Sequence, residues 1–479
     1  MPSGPHEFVV VANRLPVDVS VPDEGREGEI SWSRSPGGLV SALQPVMQKQ
    51  DGAWVGWSGT PDLTLDPFDA DGMRLCPVPL SGQEVEEYYE GLSNGTLWPL
   101  YHDVIVDPEY HRLWWNSYVT INRRFAHAAA EVAAEGGTVW VHDYQLQLVP
   151  SMLRTLRPDV RIGFFNHIPF PSPEIFSQLP WRKQIVEGLL GADLVGFQRG
   201  SDAANFLRSV RRLTDLTTRG QVVTIGSRWA RPERHVRAAA FPISIDALAI
   251  SELAQTEPVM RRAVEIRHEL GDPDVLMLGV DRLDYTKGIG HRLKAFGELL
   301  RDGALTAPET TLVQVASPSR ERVEQYRVLR DEVEGTVGRI NGDYGVMGRP
   351  AVHYLHHSYP TEEMVALYLA SDVMLVTALR DGMNLVAKEY VAARTDLGGV
   401  LVLSEFAGAA DELSQALLVN PHDIDGVKQA IVRAIEMEPK ERRRRMRALR
   451  KRVLDNDVQH WADSFLSVLT ATPRRDSHV

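Results

Sequence analysis

Short runs of Val, Leu and Ile recur along this chain without the strict alternation of a half-buried strand. In the first half they fall at 7–13, 138–142, 161–166 and 194–197. In the second half they fall at 275–280, 311–316, 352–355, 373–377, 400–403 and 416–419. Continuous apolar runs of this length read as strands buried on both faces of a parallel sheet. Between them, apolar residues return every three or four positions, which predicts helices at 145–156, 201–210, 289–300, 321–333, 361–370 and 385–394. Strands alternating with helices predict a doubly wound α/β architecture. A basic, poorly periodic stretch ends near Phe241-Pro242-Ile243-Ser244-Ile245-Asp246, and a new helical pattern follows. A boundary there leaves two α/β halves of about 240 and 210 residues, with a cleft expected between them. The tail 440–469 reads as helical, with Arg442 to Arg445 and Arg450 to Arg452 forming a solvated basic face.

Length and composition narrow the class. A chain of 479 residues exceeds one ordinary core. With 43% hydrophobic and 24% charged residues it has the make-up of a globular protein. Its apolar runs all fall short of the ~18 residues of a membrane span. The start, Met1-Pro2-Ser3-Gly4-Pro5-His6-Glu7, lacks the charged and apolar regions of a signal peptide. The single cysteine, Cys76, excludes an intrachain disulfide and fits a reducing cytoplasm. A net charge of −12 argues against general nucleic-acid binding, so anionic ligands would need local basic pockets. G-x-G-x-x-G and P-loop motifs are missing, which counts against a dinucleotide oxidoreductase or a P-loop enzyme.

The chemistry gathers where strands hand over to helices. Arg380-Asp381-Gly382-Met383-Asn384-Leu385-Val386-Ala387-Lys388-Glu389 follows the apolar run at 373–377 and leads into a helix. Ligands of open α/β sheets bind at that edge, and the N–H groups of a first helical turn suit a diphosphate. Glu389 stands eight residues beyond Asp381, about two helical turns, so two carboxylates can meet different parts of one ligand. Carboxylates accept hydrogen bonds from vicinal hydroxyls, and the pattern suggests a sugar nucleotide. Asp281-Arg282-Leu283-Asp284-Tyr285-Thr286-Lys287-Gly288 follows the strand at 275–280. There Arg282 and Lys287 can face a diphosphate, or else pair with Asp281 and Asp284 at the surface. In the first half, Arg14 ends the first strand, Gly37-Gly38 precedes a helical pattern, Asp143 follows one strand, and His167 opens a proline-rigid loop after the next. Three Asp-x-Asp pairs, 69/71, 272/274 and 455/457, sit in turn or helix-end contexts and read as no metal site, as do His353, His356 and His357.

Together these segments resemble the retaining glycosyltransferases of the α,α-trehalose-phosphate synthase (UDP-forming) family. The likeness runs from Asn13-Arg14-Leu15-Pro16 through Trp54-Val55-Gly56-Trp57-Ser58-Gly59, His167-Ile168-Pro169-Phe170-Pro171-Ser172-Pro173-Glu174 and the stretch from Asp281 to Gly288, to the one from Arg380 to Tyr390. The resemblance implies a GT-B fold, with two Rossmann-like domains facing across a cleft and a C-terminal helix crossing back to the first. The corresponding ranges are 1–245 for the acceptor domain, 246–457 for the nucleotide-sugar domain and 458–479 for the returning helix. By the same resemblance, Gly38, His167, Arg282, Lys287, Tyr359, Asp381, Gly382, Met383, Asn384, Leu385, Val386 and Glu389 bind the donor. Arg14, Tyr89, Trp98, Asp143 and Arg320 bind glucose 6-phosphate. Asp143, His167, Arg282 and Lys287 serve the chemistry.

The implied reaction moves glucose from a nucleoside diphosphate glucose, UDP- or ADP-glucose, to glucose 6-phosphate with retention. It yields α,α-trehalose 6-phosphate. A glycosidase that retains uses a carboxylate nucleophile behind the sugar, and the sequence marks none. The family's front-face route, in which the leaving phosphate takes the acceptor's proton, is the expectation. No metal or cofactor, no nucleic acid and no membrane is expected, and the family implies a cytoplasmic homodimer or homotetramer. A rival reading is a related enzyme with another acceptor, such as a sucrose-phosphate or glucosylglycerol-phosphate synthase. A catalytically silent sugar-phosphate sensor is disfavoured by the presence of Asp143, His167 and Arg282. The length leaves no room for a fused phosphatase domain. Two stretches, 21–30 and 221–240, depart from the family pattern.

Overall fold

The first strand, His6–Arg14 (β1), is apolar from Phe8 to Ala12 and buried throughout that run, as a central parallel strand requires. The computed structural model describes residues 5–20, 31–34, 43, 47, 52–226 and 234–471. These divide into two units, Met1–Ile243 with Gln459–Val479, and Ser244–Val458.

In the first unit β1 is followed by Val17–Ser20 (β2), Ser31–Arg34 (β3), Ala53–Trp57 (β4), Phe68–Ala70 (β5) and Met73–Pro77 (β6). Then come Ala133–His142 (β7), Arg161–Phe165 (β8), Leu194–Phe197 (β9), Thr217–Arg219 (β10), Val222–Ile225 (β11) and Arg234–Ala240 (β12). A parallel core runs in the order β6-β4-β1-β7-β8-β9-β12, with β5 antiparallel at one edge and β11 and β10 at the other. The chain winds outward one way from β1 and the other way from β7. The switch point of the sheet is therefore the gap between these two strands, where ligands of such sheets sit.

The second unit repeats the scheme with Val275–Arg282 (β13), Thr310–Ser317 (β14), Val352–Leu355 (β15), Val373–Val376 (β16), Val400–Ser404 (β17) and Leu417–Val419 (β18). Its sheet is wholly parallel in the order β15-β14-β13-β16-β17-β18. That is the Rossmann order, with the switch between β13 and β16. Leu293, Phe296, Leu299 and Ile431 pack on Met277, Leu312 and Leu375 to fill one face.

Each of the ten predicted strands is present, but the pattern missed the inner strands β4, β6 and β12. The Ala-Trp-Val-Gly-Trp sequence of β4 is fully buried without a Val/Leu/Ile run. The helix Arg112–Val132 was also missed. Its buried face, Trp115, Tyr118, Ile121, Asn122, Phe125, Ala126 and Ala129, follows the helical spacing, so the signal was present in the sequence. The helix predicted at 145–156 instead begins at Val149, after a tight turn Tyr144–Leu146. The Gln147 N–H donates to the Tyr118 hydroxyl at 3.1 Å and the Leu148 N–H to Asn122 Oδ1 at 3.0 Å, so neither enters a helical ladder. The helix predicted at 321–333 runs as Glu324–Tyr344.

The tail read as helical over 440–469 is helical in the structure, in two pieces, Pro439–Asp455 and Val458–Thr470. The second belongs to the first unit from Gln459 onward. Trp461 and Phe465 anchor it: their rings lie 5.1 and 4.6 Å from that of Trp140 on β7. Among the described residues, no helix is long and apolar enough to cross a membrane.

Candidate active site

In the second unit two loops meet at the switch point. One runs from the end of β13 through the turn Tyr285–Lys287 to the helix Ile289–Arg301; the other runs from the end of β16 to the helix Leu385–Ala393. The Leu379 N–H donates to Thr286 O at 2.7 Å, and Thr377 Oγ1 donates to Gly288 O at 3.2 Å. Gly288 has φ +64°, and a Cβ there would lie 2.1 Å from Thr377 O, so only glycine lets the loops close on each other. Backbone bonds from Asp381 to Phe406 and from Ala409 to Met383 fix the other side of the second loop.

This framework sets the charges. Lys287 Nζ donates to Asp381 Oδ2 at 2.6 Å, and Asn384 Nδ2 reaches the same oxygen at 3.2 Å. Asn384 sits at φ +84° and caps the helix Leu385–Ala393 by accepting from the Ala387 N–H at 3.0 Å. The helix N-terminus, with its partial positive charge, therefore opens beside Lys287 and Asp381. Asp284 accepts from Thr286 N–H and Oγ1, and from Arg320 Nη1 at 3.1 Å. Burial alone would raise its carboxyl. The Arg320, Arg282 and Lys287 cations and the Thr286 N–H outweigh burial and hold it at about 2. Glu389 accepts from the Tyr368 hydroxyl at 2.8 Å; burial raises its carboxyl above the usual range, against the pull of that bond.

Arg282 and Lys287 both act electrostatically on Asp284, while the closest partners of Asp281, Asp284 and Lys287 are other residues. Asp281 is held by Arg292 at 2.8 Å, both essentially inaccessible, while Asp284 is held by Arg320 and Lys287 by Asp381. Arg282 is exposed at the strand end. Tyr359 stands apart from this cluster in contacts, lining a 170 Å³ cavity with Arg262, His353 and Glu363.

In the first unit, Arg14 ends β1. Most of the Trp54–Gly59 segment is spent on placing it. Trp54 Nε1 donates to Arg14 O at 3.0 Å, the guanidinium lies 5.2 Å from the Trp57 ring, and Gly59, at φ +92°, leaves the space the guanidinium fills. Arg14 also pairs with Asp18 at 2.9 Å. The Tyr89 ring is 6.3 Å from Trp57, and the buried Trp98 packs on Tyr144 at 5.7 Å. Tyr89 lies within a π-helix, Val85–Leu97, that ends at Trp98. Nine residues apart, the two would point to opposite sides of an α-helix after two and a half turns. The wider π turn takes nine residues through about two turns instead.

Across the switch point, β7 ends in His142 and Asp143. Asp143 has φ +76° and ψ 169°, a region nearly reserved for glycine, and such strain persists only where surroundings enforce it. Its N–H donates to Phe165 O at 2.8 Å, and its Oδ1 accepts from the His167 N–H at 3.0 Å. His142 Nδ1 and His167 Nε2 share a hydrogen bond of 3.0 Å. Burial pushes His167 down to about 3, and burial with the neighbouring His167 pushes His142 well below the usual range, so both rings are neutral at pH 7.

The structure thus brings Lys287, Asp381, Asn384, Arg282 and Arg320 into one network and Asp143 with His167 into another. Arg320 belongs to the second unit, whereas the other four acceptor-site matches lie in the first. Gly38 lies outside the described residues, as do 21–30 and 227–233. Sequence reasoning passed over His142, visible only as the residue before Asp143. It also passed over Arg292, which reads as one more solvated helix cation until the fold turns it inward to Asp281 and Gln314.

Two sheets of Rossmann order, each carrying charged residues at its switch point, match the GT-B fold of solved trehalose-6-phosphate synthase structures. The chain belongs to glycosyltransferase family 20, whose model matches residues 6–471. It is 58% identical over 474 residues to the trehalose-6-phosphate synthase of Mycobacterium sp. (strain JLS), covering 98% of this chain and 97% of that one. A solved structure from E. coli bound with UDP-2-fluoro glucose superposes with a TM-score of 0.88 at 36% identity, over 98% of this chain and 100% of that chain. The α,α-trehalose-phosphate synthase (UDP-forming) from Burkholderia xenovorans in complex with glucose-6-phosphate superposes with a TM-score of 0.86 at 34% identity, over 97% of this chain and 99% of that chain.

Proposed function

We propose that this chain transfers glucose, with retention, from a nucleoside diphosphate glucose to O1 of glucose 6-phosphate, forming α,α-trehalose 6-phosphate and the nucleoside diphosphate. The observation that carries the reading is the Lys287–Asp381 pair at the switch point of the second sheet, beside a helix N-terminus and close in sequence to Arg282. Relatives named for this activity, and similar structures holding a UDP-glucose analogue and glucose 6-phosphate, support it.

In this account Arg282 and Lys287 stabilise the charge that grows on the departing diphosphate. The residues from Asp381 to Val386 hold the glucose hydroxyls and phosphates, Glu389 the ribose, and Tyr359 the neighbourhood of the base. Gly38 adds a backbone contact to the donor. Arg14 and Arg320 take the phosphate of glucose 6-phosphate, with Tyr89 and Trp98 around its sugar. Asp143 and His167 orient the hydroxyls of acceptor and donor. The acceptor attacks the anomeric carbon on the face the diphosphate leaves, and the leaving phosphate oxygen takes its proton. A front-face route fits a site with a neutral histidine and no carboxylate assigned to the far face of the sugar. The two cations supply the neutralising charge, so the reaction needs no metal or cofactor. The same reading has the enzyme working in the cytoplasm as a homodimer or homotetramer.

Isothermal titration tests the acceptor. Glucose 6-phosphate should bind in the presence of the nucleoside diphosphate, and fructose 6-phosphate should bind much more weakly. Preference for another acceptor would overturn the assignment.

A further inference from the structure

We infer that His142 is a positioning residue that sets the proton arrangement of His167, so that His167 presents an Nδ1–H donor to a sugar hydroxyl oxygen of the substrate. This rests on the function proposed above. Adjacent residues at the end of β7 grip His167 from two sides: the Asp143 carboxylate accepts its backbone N–H at 3.0 Å, and the His142 ring bonds its Nε2 at 3.0 Å. The ring of His142 is fully buried. It lies 4.7 Å from Trp140 and 6.5 Å from Trp461, and its far nitrogen, Nε2, is buried with no hydrogen-bond partner.

That unpartnered nitrogen decides which ring donates. Were the His142 proton on Nε2, a buried N–H would be orphaned among aromatic rings. With the proton on Nδ1, only a lone pair is left unmatched, and orphaned buried donors are the rarer of the two. His142 Nδ1–H therefore donates to His167 Nε2. A neutral His167 must then carry its own proton on Nδ1, the one ring nitrogen left for a ligand. Its ring is further held by Phe165 at 4.6 Å and Trp461 at 6.1 Å. The C-terminal helix, through Trp461, thus backs both histidines.

Nitrogen-15 NMR of the histidine-labelled, unliganded protein tests the tautomer without any activity assay. The expected result is a proton on Nδ1 of both His142 and His167. A proton on His167 Nε2 would overturn the inference, whatever the fate of the proposed function. A pair of variants tests the consequence. In His142→Asn the side-chain amide can still donate from near the Nδ1 position, whereas His142→Leu cannot. His142→Asn should keep the His167 tautomer and most of the turnover. His142→Leu should release the Nε2 lone pair, mix the tautomers, and lower kcat about 10- to 100-fold with the KM for glucose 6-phosphate changed less than about threefold. Equal behaviour of the two variants would contradict the inference. If His142→Leu fails to fold, the wild-type and His142→Asn spectra still decide it.

Discussion

Lys287 and Asp381 are 94 residues apart, yet their side chains meet at 2.6 Å. Each was picked out from its own strand end, but nothing in either segment says that they pair. Loss of Lys287 removes both a cation proposed to meet the diphosphate and the partner of a poorly exposed carboxylate. Lys287→Ala should lower kcat by about 10²- to 10³-fold while glucose 6-phosphate binding changes little. Steady-state kinetics with a separate binding titration checks this, and unchanged turnover would remove Lys287 from the chemistry. Residue-scale features were legible where residue type and strand end coincide, as for Asp143, His167, Arg282 and Asp381. Partnerships were not legible. Arg292 with Asp281 and His142 with His167 exist only because the sheet order sets distant segments side by side.

At the scale of elements, the site depends on how tightly two loops pack. Gly288 is the contact point: a methyl group would meet the Thr377 carbonyl oxygen and the backbone would still need φ +64°. Gly288→Ala should cost about 2–4 kcal/mol of stability, combining strain at positive φ with overpacking, and should lower activity as well. Urea unfolding measures the first effect. A change within ~0.5 kcal/mol would mean that the loops close by some other means. The strands of Val, Leu and Ile were legible because burial on both faces demands such runs. Trp-rich β4 was not, since its burial is achieved without such a run, whereas the helix Arg112–Val132 carries a regular apolar stripe that the reading passed over. The π-helix before Trp98 had no sequence signal at all.

At the scale of the whole molecule, the C-terminal helix ties the chain end to the histidine pair through Trp461. The pair makes the fold acid-sensitive. Below about pH 6.5 the unfolded chain protonates both histidines while the folded chain does not, so the unfolded state binds more protons and stability falls as pH drops. The slope is about 1.4 kcal/mol per pH unit for each histidine, extending for His167 down toward its folded value of about 3. Asp284 adds a second loss at lower pH. Its folded value of about 2 lies below the unfolded 3.8, so its contribution is complete above 3.8 and disappears as pH falls through about 2. Urea midpoints between about pH 5 and pH 7.5 should decline toward acid, and His167→Asn should flatten the decline. An unchanged slope would mean that His167 titrates normally in the folded chain. The two-sheet plan was legible from strand and helix alternation, whereas the returning helix after 457 came from the family resemblance and not from the periodicity of the tail.

The most direct test of the account is the product. The protein, incubated with glucose 6-phosphate and UDP-, ADP- or GDP-glucose, should release α,α-trehalose 6-phosphate, with both anomeric centres α by proton NMR, and one equivalent of nucleoside diphosphate. Hydrolysis of the donor alone, a product of another acceptor or an inverted anomeric centre would contradict it.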